Sequence, residues 1–132
     1  MSVAMFHAPL DVIKLLFQRG GDVNQGQLLH NAVLRDGPDT LELVGLLLDM
    51  GAAINQIQYE NHPQAYGERY AFALGTPLHY AVREDKPELV SYLLLRGADP
   101  SIIDTRGRTA LQTAEFLEKP RVLRVLQSIT LL

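Results

Sequence analysis

Gly75-Thr76-Pro77-Leu78-His79-Tyr80-Ala81 and the Leu93-Leu94-Leu95-Arg96-Gly97-Ala98-Asp99 that follows it decide the fold of this chain. Thr76 before Pro77 reads as an N-cap followed by a proline at the first helical position, where its missing N–H costs nothing. Asp85-Lys86-Pro87-Glu88 opens a second helix, with Asp85 and Glu88 spaced for reciprocal capping. Val90, Leu93 and Leu94 put apolar side chains on one face of that helix, and Gly97 supplies the left-handed residue that stops it. The stretch is helix, short turn, helix, glycine stop and extended linker.

The pattern recurs along the chain. Leu16-Phe17-Gln18-Arg19-Gly20 and Leu47-Leu48-Asp49-Met50-Gly51 repeat the helix ending, and Ile13, Val44 and Val90 each stand the same distance before the glycine. Gln27-Leu28-Leu29-His30-Asn31-Ala32 and Thr109-Ala110-Leu111-Gln112-Thr113-Ala114 repeat the opening block. Ala32, Ala81 and Ala114 recur in phase, small enough for neighbouring helices to approach closely.

These blocks resemble the ankyrin repeat, and the interval from His79 to Gln112 equals that family's period. The resemblance covers nearly the whole chain and implies an all-α solenoid of about 3.5 helix–turn–helix units. The repeats span about 1–24, 25–55, 74–101 and 102–132 of a single domain, 1–132, with an insertion at about 56–73. His30 to Gly51 is slightly longer than His79 to Gly97, so repeat two carries an excess around Asp36-Gly37-Pro38-Asp39. Gly51 to His79 is far longer than Gly97 to Gln112, which puts a much larger excess in the linker after repeat two. The resemblance implies a regular hairpin only for Asp99–Thr109.

Repeat one lacks its opening block, Ser2 standing where the histidine belongs, and Ile129-Thr130-Leu131-Leu132 is apolar where a terminal cap is polar. Either the ends cut through a longer array, which suits a monomer, or they meet a second copy and give a dimer.

Composition narrows the function. The 132 residues are 47% apolar and 20% charged, with a net charge of −3, which argues against a phosphate-tracking nucleic-acid binder. Zero cysteines exclude disulfides, thiolate metal sites and a cysteine nucleophile, and suit a cytoplasmic or nuclear setting. The longest uncharged stretch, Tyr70 to Val82, is too short and polar to span a membrane. Met1-Ser2-Val3-Ala4-Met5-Phe6 lacks a basic flank and reads as a helix start rather than a secretory signal.

No nucleophile elbow, phosphate loop, dinucleotide fingerprint or zinc helix is present, and His7, His30, His62 and His79 fall in no metal-ligand spacing. The expectation is therefore no enzyme, no metal and no cofactor. By resemblance, His79 and His30 are structural, hydrogen-bonding within the turn. A catalytic site beneath the insertion would draw on His62, Glu60 or Glu68. The pairs Glu84/Asp85 and Asp36/Asp39 suit the positive ends of helix dipoles. From Ser101 onward 5 basic residues stand against 3 acidic, a bias that fits a solvated helix face or an acidic partner peptide.

The insertion at 56–73 holds 3 of the 5 tyrosines, at Tyr59, Tyr66 and Tyr70, together with Phe72 and Arg69. Aromatic and arginine side chains anchor interfaces, and the same residues equally serve to pack a long loop onto the stack. By resemblance, partner recognition uses hairpin tips and first-helix faces, which here are Leu34 and Arg35, Arg83 and Glu84, and Thr105, Arg106 and Arg108. Phe116 and Leu117 occupy the corresponding places in repeat four. The expected function is non-catalytic binding of a partner protein or peptide on that face, with the 56–73 loop as recognition element. A regulatory or scaffolding segment contacting its own longer chain is the alternative.

Overall fold

The computed structural model describes residues 28–35, 39–57 and 74–130. Six helices lie among them: α1 (Leu28–Val33), α2 (Thr40–Asp49), α3 (Pro77–Arg83), α4 (Pro87–Leu95), α5 (Ala110–Phe116) and α6 (Pro120–Thr130). No strand occurs among the described residues, as the all-α expectation requires. The chain divides into two compact bodies, Met1–Ala53 and Ile54–Leu132.

In the first body α1 packs on α2. Leu28, Leu29, Ala32 and Val33 are buried, as are Leu43, Val44 and Leu47, whose spacing puts them on one helix face. Arg35 ties the end of α1 to the start of α2 with a fork onto Asp39, Nε to Oδ1 at 3.1 Å and Nη2 to Oδ2 at 2.9 Å. The Thr40 hydroxyl donates to the Arg35 carbonyl at 2.8 Å. Asp39 does stand at the N-cap of α2, yet its carboxylate makes no cap bond because Arg35 takes it.

In the second body α3 pairs with α4 and α5 with α6, and the pairs stack like on like, α3 against α5 and α4 against α6. This is how a repeat buries a face it cannot bury alone. Ala81 and Ala114 are fully buried among Leu78, Val82, Val90, Leu93, Val122 and Leu126, which bears out the requirement for a small residue at that phase.

Both described glycine stops hold. Gly51 has φ +97° and Gly97 has φ +101°. Around each, the two N–H groups past the helix bond back to its last turn: Gly51 to Leu48 and Ala52 to Leu47, Gly97 to Leu94 and Ala98 to Leu93. That is the Schellman arrangement. The turns inside the second-body repeats use it too, with Asp85 (φ +54°) and Glu118 (φ +56°) in the glycine position. Lys86 N bonds to the Ala81 carbonyl and Lys119 N to the Ala114 carbonyl.

This geometry corrects two expectations. Asp85 and Glu88 do not cap each other, because Asp85 is spent on ending α3; the N-cap of α4 is Lys86, with no side-chain bond, and Pro87 sets the first turn. Asp85 instead accepts from Arg121 at 3.3 Å. Glu84 lies at the C-cap of α3 rather than at a helix start.

The segment from Gly97 to Thr109 carries a tight turn rather than a ladder. Gly107 N bonds to the Asp104 carbonyl at 2.9 Å and Asp104 N to the Arg108 carbonyl at 2.8 Å, with Gly107 at φ +78°. The same segment holds residues on both sides of the insertion. Asn55 donates to the Gly97 carbonyl at 3.4 Å and accepts from Asp99 N at 2.7 Å. Leu74 N donates to Thr105 Oγ1 at 2.8 Å, and Thr105 N donates to the Leu74 carbonyl at 2.9 Å.

Candidate interaction surface

The surface is built on the opening block of α3. Thr76 caps the helix by accepting from His79 N, and the His79 ring reaches back to Thr76 N, with Nδ1 at 3.1 Å. Nε2 lies 2.9 Å from the Arg108 carbonyl of the next repeat. A backbone N–H only donates and a carbonyl only accepts, so Nδ1 is bare and Nε2 carries the proton. Burial pushes the His79 pKa below its ordinary 6.5; the Arg108 carbonyl and the Asp104 charge oppose that shift, and Arg83 adds to it. Gly75 is required by close approach, since a Cβ there would sit 2.7 Å from the Cβ of His79.

Asp104 ties this block to the turn. Its buried carboxylate accepts from Arg83 Nη2 at 3.0 Å, from Arg106 N at 2.8 Å and from Arg108 N at 3.1 Å. The Arg83 guanidinium also lies over the Tyr80 ring, 4.9 Å from its centre. At the far side the Arg108 guanidinium lies 3.9 Å over the ring of Phe116, which is 63% exposed. Tyr80, Arg83, Asp104, Arg108 and Phe116 thus form one connected row across repeats three and four.

The expected site residues separate accordingly. Arg83, Thr105, Arg106 and Arg108 lie on or next to this row, with Thr105 bonded to Leu74 through both its hydroxyl and its N–H. Glu84 is exposed at the end of α3. Arg35 departs from the expected exposed face: its side chain is only 8% accessible and it is forked onto Asp39. The arginine folds back along its own chain, so its charge joins two helices instead of facing solvent. Tyr59, Tyr66, Arg69 and Tyr70 lie outside the described residues, as do Glu60, His62, Glu68, the glycine of repeat one and the Asp36-Gly37-Pro38 turn.

Two members of the row, Tyr80 and Asp104, were not among the expected residues. Tyr80 precedes Arg83 by one helical turn, a spacing that puts them side by side. Asp104 precedes Gly107 at the distance of an ordinary turn signature, which would have singled it out.

Among the described residues no group of three or more His, Asp or Glu side chains is placed to hold a metal ion, and no helix is long and apolar enough to cross a membrane.

Helix pairs stacked like on like, glycine-stopped and capped by a Thr-Pro-Leu-His block, define a helical repeat protein. The family model "Ankyrin repeats (3 copies)" matches residues 1–104 and again 29–129, and the chain belongs to that family. It is similar to the mouse "Palmitoyltransferase ZDHHC13", 33% identical over 103 residues, covering 74% of this chain and 14% of that protein. It is also similar to the Caenorhabditis elegans "Ankyrin repeat and LEM domain-containing protein 1 homolog", 30% identical over 67% of this chain and 11% of the relative. The Neurospora crassa "Ankyrin repeat protein nuc-2" is 29% identical over 88% of this chain and 10% of its own length. The chain therefore spans a small part of each of these relatives.

Proposed function

We propose that this chain is a non-catalytic module that holds a partner protein or peptide along the row from Tyr80 to Phe116. Ankyrin repeats generally act in protein–protein interaction. The observation that carries the reading is Phe116, a large aromatic side chain left exposed and held beneath Arg108. An exposed apolar ring covered on one side by a guanidinium is the composition of an interface anchor. Glu84, Thr105 and Arg106 form the rim, and the 56–73 loop with Tyr59, Tyr66, Arg69 and Tyr70 is the second recognition element. One array across 1–132 and a cytoplasmic or nuclear setting belong to the same proposal.

The short share of each relative favours a second reading, in which the module contacts other parts of a longer polypeptide of its own. One experiment separates them. Phe116→Ala with Arg106→Glu, and a variant with 56–73 replaced by a hairpin-length linker, are compared with the intact chain for captured partners and unfolding midpoint. Loss of the same partners from both, at an unchanged midpoint, supports the proposal. Full capture by both variants sinks it, and an intact chain that captures nothing favours the intramolecular reading.

A further inference from the structure

We propose that the Arg108–Phe116 pair is a docking point for an acidic peptide segment that also carries an apolar side chain. The inference rests on the interaction reading above and names the chemistry of the partner.

The first support is the state of the Arg108 side chain. Its backbone is held at both ends, the N–H by Asp104 and the carbonyl by His79. Its guanidinium carbon lies 3.9 Å over the centre of the Phe116 ring, a stacking distance. Stacking engages the face of the group and leaves its N–H edges to point outward as a fork. No ion pair or side-chain hydrogen bond of that guanidinium occurs among the described residues. The cation is pre-organised, and its donors await a planar acceptor such as a carboxylate.

The second support is the absence of local compensation. Asp104, the nearest carboxylate in sequence, is buried and already accepts from Arg83 and two backbone N–H groups. Glu115 precedes Phe116 but lines a shallow groove with Ala114, Glu118, Lys119, Pro120 and Leu123. From Ser101 onward the chain has 5 basic residues against 3 acidic, and Asp104, one of the three, is already committed.

The third support is the apolar ground around the cation. Phe116 and Leu117 are both exposed at the end of α5. A bare phosphate would meet the fork and leave those side chains in water. A peptide with a carboxylate and a neighbouring leucine, isoleucine or phenylalanine covers both.

The test is a selection of short random peptides displayed against the full chain, followed by affinity measurement of the enriched peptides. Enrichment of Asp and Glu beside a large apolar residue is expected. Arg108→Glu should weaken binding about 30-fold or more, Phe116→Ala about 10-fold, and Arg108→Lys about 5-fold, since it keeps the charge but loses the fork. Affinity should also fall with added salt. Thermal unfolding of each variant checks that the fold is kept, and Phe116→Ala provides an exposed change if Arg108→Glu disturbs the turn. Neutral or basic peptides that remain sensitive to Phe116→Ala would overturn the acidic partner and leave the surface standing. Peptides indifferent to Tyr80→Ala, Arg106→Glu, Arg108→Glu and Phe116→Ala alike would overturn both readings. No enrichment above the naive library overturns the docking point.

Discussion

The opening blocks of repeats three and four begin with the same backbone and end in different roles. Thr76 has φ −78° and ψ 168°, and Thr109 has φ −75° and ψ 170°. Each threonine caps its helix, and in each the third helical side chain reaches back to the cap N–H, His79 at 3.1 Å and Gln112 at 2.9 Å. Gln112 is exposed and its work ends there. His79 is 1% exposed, and its second nitrogen crosses to the Arg108 carbonyl of the neighbouring repeat. An amide satisfies a helix end, whereas a ring with polar atoms on two sides satisfies a helix end and a neighbour at once. The residue before each cap follows suit: Gly75 leaves space for the ring, and Arg108 occupies the same place where no ring stands.

The contrast is breakable by substitution. His79→Ala should have the largest effect, about 2–4 kcal/mol by urea unfolding, because it empties a buried volume, orphans the Thr76 N–H and takes from the Arg108 carbonyl one of its two donors. A loss no greater than that of Gln112→Ala would erase the distinction between the two blocks. Gly75→Ala should cost about 1–3 kcal/mol through the clash with His79. In a double-mutant cycle with His79→Ala, which removes Cγ and the ring and keeps Cβ, the penalties should be less than additive by at least about 0.5 kcal/mol. Strict additivity would show that the ring is not what requires glycine.

A pH series sharpens the same point. Burial holds the folded His79 pKa below 6.5, so just below pH 6.5 the unfolded chain binds more protons than the folded one. This contribution is complete above pH 6.5 and is lost as pH falls through the folded value. The stability difference between the intact chain and His79→Gln should therefore shrink from about pH 7 to about pH 5, and a pH-independent difference would contradict it. Gln112→Ala should be mildest, about 0.5–1 kcal/mol, with no pH dependence in that window.

How much of this was legible in the sequence depends on where each signal resides. Thr76-Pro77 and the glycines at 51 and 97 are local signals with one conformational meaning, and the helices begin and end where they say. Asp85 and Glu118 were not legible, since nothing in an acidic side chain announces a left-handed backbone. The Asp85–Glu88 spacing was a true capping pattern that lost to the need to close α3 first. Arg35 was misread because a long charged side chain leaves no phase to show whether it faces out or folds back onto a partner such as Asp39. Phe116 stands where the family resemblance places an exposed residue, and it is exposed. The row that joins it to Tyr80 depends on Asp104 gathering three donors, which no spacing encodes.

The paired hold on Asn55 and Leu74 has a consequence for what the molecule tolerates. Both residues, one on either side of the 56–73 span, are fastened to one stretch of main chain between Gly97 and Thr105. Among the described residues, that stretch is what holds these two posts in place. Closing a loop between fixed points costs only about 0.6 kcal/mol for each doubling of its length. With the posts held from outside the span, the linker is expected to behave as a socket whose length can change at little cost to the repeats, and unfolding midpoints of chains with different linkers would check it.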